Sequence, residues 1–149
     1  MNEPYHYTEC GLDYVYLLNG YVLHDTKYGS AVEVEHAAQL DRQIALAVVE
    51  RQGPLTGQEV RFLRGLLDLT QAQLGELLGK DAQSVARWER SKTAIPPTED
   101  RALRQVYLEE TGHTVKFVET IRRVAAIKGR VERVTFRELP QGGWENLAA

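Results

Sequence analysis

The sequence predicts an α+β protein. It should open with a small β-hairpin or meander and a connecting helix, continue as an all-helical middle, and close with a C-terminal helix and strand. Three observations carry this. "VYLLNGYVLH" places Asn19-Gly20 between two β-rich runs, the strongest short hairpin signal, because both turn residues must take φ > 0. From Ala37 onward apolar residues recur three and four apart, the period of an amphipathic helix, and polar capping residues punctuate them. "VTFREL" then returns to alternation, with Val134 and Phe136 on one side.

Taken in order, "YHYTEC" and "SAVEVEH" flank the hairpin as further strand candidates. A two-residue loop at Asn19-Gly20 would pair Leu18 with Tyr21 and Tyr16 with Leu23. The sheet's core is then expected from Tyr14, Tyr16, Leu18, Tyr21 and Leu23. Between Ala37 and Arg51, Leu40, Ile44 and Val48 repeat at four-residue spacing beside Ala37, Ala45 and Val49. Gly53 and Pro54 stop that helix. A domain boundary is expected there, giving a first domain over 1–53.

Four capped helices should follow. Thr56 with Glu59 three residues on reads as a capping box, opening a helix that turns Val60, Leu63 and Leu67 inward. Thr70 caps a short helix with Leu74, Leu77 and Leu78 inward, and "GKD" makes a tight turn. Asp81 caps a third helix whose buried side carries Val85 and Trp88. "AIPP" breaks the chain, and Thr98 is the expected cap of a fourth helix with Leu103, Val106 and Tyr107 inward. These helices define a second domain over 54–110. Residues 111–149 should add a helix from Thr114 to Lys128, closed by Gly129, and a strand; this segment is the candidate dimerisation element.

Composition narrows the function classes. The chain has 149 residues and a formal charge of -3, which allows one or two small domains with a real core. Charge is uneven: residues 1–53 hold three Lys/Arg against eight Asp/Glu, residues 54–110 eight against nine, and residues 111–149 seven against four. An acidic first third is repelled by nucleic acid and suits a basic protein partner. The single cysteine, Cys10, permits no internal disulfide and fits a reducing compartment. No signal peptide or membrane-length apolar run is expected, so the protein reads as soluble and cytoplasmic, without membrane partners.

A short capped helix, a tight turn and a second capped helix describe a helix-turn-helix. "LTQAQLGELLG" followed by "QSVARWERSK" resembles the Cro and phage-repressor class, the xenobiotic-response-element type, over about residues 57–110. In that class Thr-Gln opens the second helix, Leu-Gly ends it, and a WE-x-(G/S)-K run follows the reading helix. The resemblance implies a sequence-specific DNA-binding regulator whose reading helix puts its N-terminal end into the major groove.

With Val85 and Trp88 buried, Ala82, Gln83, Ala86, Arg87 and Arg90 are expected on the open face. Ala82 and Ala86 permit close approach to a thymine methyl, Gln83 can pair with an adenine edge, and Arg87 with guanine or a phosphate. The resemblance further implies that Gln71 contacts a phosphate with side chain and amide, where free N–H groups and the helix dipole favour an anion. It places Lys92 at a second backbone contact. Lys80, Arg87, Arg90 and Lys92 would form a basic stripe. The same class pairs an Arg of its first helix with the Glu after the reading helix's aromatic position; Arg64 and Glu89 match, as a structural ion pair rather than DNA contacts.

The overall arrangement is similar to antitoxins that join a zinc-binding N-terminal domain to this reader, neutralise a toxin and repress their own operon. Those proteins use two Cys-x-x-Cys pairs, and this chain has one cysteine. His6, Cys10, His24 and His36 have spacings of no standard zinc module, so no metal and no cofactor are expected. The expected partners are a palindromic double-stranded operator, a second copy of the chain as homodimer, and a basic toxin at the acidic N-terminal domain. The alternative is an adaptor that keeps the fold without DNA binding. No nucleophile–base pair or phosphate loop suggests an enzyme, and His113 reads as a cap or surface residue.

Overall fold

A computed structural model describes residues 3–113, 122–123 and 133–147. Apart from 122–123, the helix expected over Thr114–Lys128 lies outside them. The chain forms two compact units, residues 1–47 with 131–149, and residues 48–130.

The first unit has two sheets. β1 (Tyr5–His6), β2 (Val15–Leu17), β5 (Val134–Glu138) and β6 (Trp144–Asn146) form one, in the order β1-β2-β5-β6. β2 and β5 are parallel, with Val15 opposite Val134 and Leu17 opposite Phe136. β1–β2 and β5–β6 are antiparallel. β3 (Tyr21–Thr26) and β4 (Gly29–Val34) make a separate two-stranded ribbon, from Tyr21 opposite Val34 to Thr26 opposite Gly29.

The Asn19-Gly20 hairpin expected from the sequence is therefore corrected: the strands before and after it go to different sheets. A type I′ turn needs positive φ at both central residues, and here only Gly20 has it, at 76°. Asn19 instead behaves as an extra strand position. Its Nδ2 donates to the Glu138 carbonyl at 3.3 Å, and its Oδ1 accepts from the Glu138 amide at 2.7 Å. Gly20 lies under the Trp144 ring, where a Cβ would come within 2.6 Å.

The expected tyrosine core also changes. Pairing with β5 buries Val15 and Leu17 completely, while Tyr16, Leu18 and Tyr21 are half-buried and Leu23 is 52% exposed. A strand alternates faces, so a core set read one residue out of phase lands on the wrong side. Tyr14 alone of the expected set is buried, with Leu12, Phe136, Trp144 and, from α1 (Ala37–Glu50), Leu40, Ile44 and Ala45. Trp144 donates its indole N–H to the Glu35 carbonyl at 3.2 Å.

The second unit holds the end of α1, then α2 (Gly57–Leu66), α3 (Gln71–Leu78), α4 (Ala82–Glu89) and α5 (Pro97–Glu110). Thr56 and Glu59 form the capping box that starts α2. α5 begins at Pro97 with no side-chain cap, so Thr98 is inside the helix; proline's fixed φ already suits a first turn. Val60, Leu63, Leu74, Val85, Trp88, Leu103 and Tyr107 are buried, but Leu77, expected inward, is 58% exposed. On a helix of eight residues, Leu74 and Gly75 take the inward arc, and Leu77 falls beyond it.

Four buried or half-buried charged side chains lie together at the end of α1. Arg104 and Asp100, both fully buried, pair on α5 through Nε and Oδ1 at 2.7 Å. Arg104 also donates to the carbonyls of Val49, Arg51 and Gly53, the first in the last turn of α1, whose carbonyls have no intrahelical partners, and the other two in the segment that follows it. Asp100 accepts the Leu55 amide at 2.7 Å. Burial pushes its carboxyl above the usual range, against the pull of Arg104. Beside this pair, Arg51 makes a two-pronged bond to the buried Glu59 carboxylate at 2.7 and 2.6 Å. Removing one partner of such a pair strands the other charge. Arg104→Ala should therefore cost about 3–5 kcal/mol in urea unfolding, and a loss below 1 kcal/mol would refute the anchoring role.

Candidate nucleic-acid interface

The reading helix is positioned by its neighbours' caps and by one close approach. Thr70 and Gln73 form a reciprocal capping box at the start of α3. At its other end, a Cβ on Gly75 would lie 2.5 Å from the Lys80 carbonyl, so only glycine lets the turn fold back over the helix. That turn delivers Asp81, whose Oδ1 accepts the Ser84 amide at 2.8 Å and starts α4. The same bond holds the exposed Asp81 carboxyl below its ordinary range.

Val85 and Trp88 seat α4 in the core. Gln83, Arg87, Arg90 and Lys92 are exposed, and Ala82 is half-buried. Ala86, expected on the open face, is instead only 9% exposed. It follows Val85 by one residue, a 100° step that leaves it on the flank of the buried arc, and Arg90 Nε reaches over to its carbonyl at 3.4 Å. On the exposed side Arg87 Nη2 donates to Gln83 Oε1 at 3.4 Å. Lys80 faces Glu99 at 3.8 Å, so the cations of the reading side reduce to Arg87, Arg90 and Lys92. The sequence offered one signal for that neutralisation, an acid in the first turn of α5.

Arg64 and Glu89 meet across 25 residues. Arg64 donates Nε to Glu89 Oε2 at 2.5 Å, Nη2 to Oε1 at 3.0 Å, and Nη1 to the Leu69 carbonyl at 2.9 Å. The side chains are 19% and 5% exposed, and the Glu89 bond raises the Arg64 pKa above its ordinary value. Gln71 Nε2 joins from the start of α3, donating to Glu89 Oε1 at 3.1 Å. That bond was missed in the sequence, where Gln71 suggests only a phosphate contact. Past α4 the chain turns at Ser91, which has φ 57°, and the Lys92 amide closes on the Arg87 carbonyl at 2.9 Å.

The other polar candidates stay apart. His6 bonds the Asp13 carbonyl, His24 bonds Glu33, and His36 lies 3.9 Å from Glu138. Cys10 bonds the Tyr7 carbonyl, and burial pushes its thiol up to about 11. Among the described residues no three His, Cys, Asp or Glu side chains gather as a metal site. His113 bonds Thr111 Oγ1 at 2.9 Å and is exposed. No helix among the described residues is long and apolar enough to cross a membrane.

Two capped helices joined at a tight turn, the second with a buried inner face and a polar outer one, define a helix-turn-helix. Residues 60–103 match the family model described as helix-turn-helix, of the Cro/C1 type. It is a family of DNA-binding regulatory domains, not of enzymes, and the chain accordingly carries a DNA-binding regulatory domain. No curated protein and no solved structure matches the chain.

Two stability measurements check this geometry. Arg64→Ala leaves Glu89 largely buried and should cost about 3 kcal/mol or more, read as a lower melting temperature; an unchanged melt would remove the ion pair from the account. Ser91→Gly should relieve the left-handed backbone and raise stability by about 1 kcal/mol, and a loss instead would mean that the serine side chain is needed there.

Proposed function

We propose that this protein is a dimeric, sequence-specific repressor of its own operon, of the antitoxin type, reading a palindromic operator through residues 54–110. The observation that carries it is the outer face of α4, where Gln83, Arg87, Arg90 and Lys92 stand exposed on a helix whose other side is buried. Ala82 lies at the helix start, where the groove is entered. Gln71 contributes its backbone amide to a phosphate at the N-terminus of α3, its side chain being engaged by Glu89. Ala86 contributes through the room its small side chain leaves rather than through contact.

Charge supports the division of labour. Residues 48–130 hold fourteen Lys/Arg against eleven Asp/Glu, a formal +3, while residues 1–47 and 131–149 hold four against ten, a formal -6. The first set tolerates a polyanion and the second repels it, which suits the acidic unit to a basic toxin. Dimerisation follows from reach: one reading helix covers too few bases, and two, about 34 Å apart, cover a palindrome. The segment Thr114–Lys128 is the proposed dimer element.

The test is fluorescence anisotropy with duplex DNA from upstream of the protein's own gene, scrambled DNA as control, at low and physiological salt. Binding should favour the upstream duplex and weaken steeply as salt rises, because phosphate contacts release counterions. The double variant Gln83→Ala/Arg87→Ala should lose the preference for that duplex while melting like the parent. Equal affinity for both duplexes at every salt concentration would instead favour an adaptor.

A further inference from the structure

Gln83 and Arg87 stand one helical turn apart on the exposed side of α4, and they are joined. Arg87 Nη2 donates to Gln83 Oε1 at 3.4 Å. A guanidinium can only donate, so the amide oxygen must face the arginine. This fixes which end of the glutamine is free: Nε2, with its two donors, points away from the pair. It also biases the guanidinium, one of whose nitrogens is turned toward a neighbour on the same helix. Both side chains are exposed, so no packing elsewhere orients them.

We propose that Gln83 and Arg87 read DNA as one unit, a two-base-pair reader in which each side chain orients the other. This rests on the DNA-binding reading above and deepens it. The two residues are four apart on one helix face, and residues three or four apart on a helix lying in the major groove can reach successive bases. Joined heads therefore meet adjacent base pairs. Arg87, with the rest of its fork open, takes guanine through O6 and N7. Gln83 presents donors to the neighbouring pair and selects a base with an acceptor at its major-groove edge, a purine N7 or thymine O4. Cytosine, which offers only its N4–H₂ donor there, is excluded. The oxygen's second lone pair remains for adenine N6, so adenine is the preferred neighbour.

A joined reader fails differently from two independent ones. Without Gln83, Arg87 loses the acceptor that biases its guanidinium, and its guanine preference should fall along with the preference next door. Independent contacts would each relax only their own base pair.

The experiment selects sites from a randomised duplex pool with the parent protein, Gln83→Ala, Arg87→Ala and Arg87→Lys, and then measures affinities on duplexes substituted singly at each selected position. The parent should prefer guanine beside adenine, with about a tenfold loss for a wrong base at either pair. Gln83→Ala should flatten both positions. Arg87→Lys should keep the salt dependence, because the charge remains, yet lose guanine discrimination, because the planar fork is gone. Melting curves confirm that every variant is folded.

If Gln83→Ala relaxes one pair and leaves the guanine preference intact, the joined reader is wrong although the protein still reads DNA. A parent that selects a site without this guanine step overturns it as well. Selection of no site at all would remove the DNA-binding reading and this inference with it.

Discussion

The two-pronged bond between Arg64 and Glu89 is the constraint on which the reading module depends. It joins the first helix of the module to the end of the reading helix, 25 residues later. Its remaining valences are used locally: Arg64 takes the Leu69 carbonyl between α2 and α3, and Glu89 takes the Gln71 amide at the start of α3. Three helices are thus referred to one pair of charged groups. Such a pair is costly to bury, and its net contribution to stability over an apolar replacement is small. What it supplies is register. An apolar contact tolerates sliding, whereas a bidentate guanidinium–carboxylate bond has one geometry, and a reading helix must hold its side chains to within a fraction of the base-pair spacing.

The second charged cluster solves a different problem. The carbonyls of residues 49, 51 and 53 lie where α1 ends, and Arg104 donates to all three. Asp100 holds the Leu55 amide, and Glu59 serves at once as partner of Arg51 and as the capping residue of α2. Read from sequence, "RQGPLT" has the composition of a linker. In the fold its backbone polar groups are bonded to buried side chains of the helical unit, so it has the character of a clamp.

The helices were legible because their signals are local. Thr56 with Glu59, Thr70 with Gln73, and Asp81 each cap within three residues, and apolar spacing sets the inward face. The Arg64–Glu89 pair was readable only through resemblance to a class that shares it. The sheet was less legible, because its pairing joins strands more than 100 residues apart. Nothing near Asn19 announces that its amide will bond residue 138, and nothing in the Asn-Gly signal reveals that a parallel partner will take β2 away from β3. Arg104 was invisible for a similar reason: a buried arginine has no sequence signature apart from the carbonyls it serves. At the reading face, residue types were legible while their mutual contacts were not, and Ala86 shows how one step of helical phase separates an open position from a closed one.

Charge can be weighed at two scales, and they give different answers about DNA. The whole chain is acidic at -3, the helical unit is +3, and the remainder is -6. At physiological ionic strength the Debye length is about 8 Å, so a phosphate at the reading face responds chiefly to charges within a few side-chain lengths. There Arg87, Arg90 and Lys92 are exposed, while four acids of the same unit are committed: Glu89 to Arg64, Glu99 to Lys80, Asp100 to Arg104 and Glu59 to Arg51. Each such pair is close to neutral at short range, so these four acids add little to the field that DNA would meet at that face. Beyond the screening length the sign reverses. A reader built this way should depend on close fit more than on long-range attraction, since the net field of the chain does not draw a polyanion in from a distance.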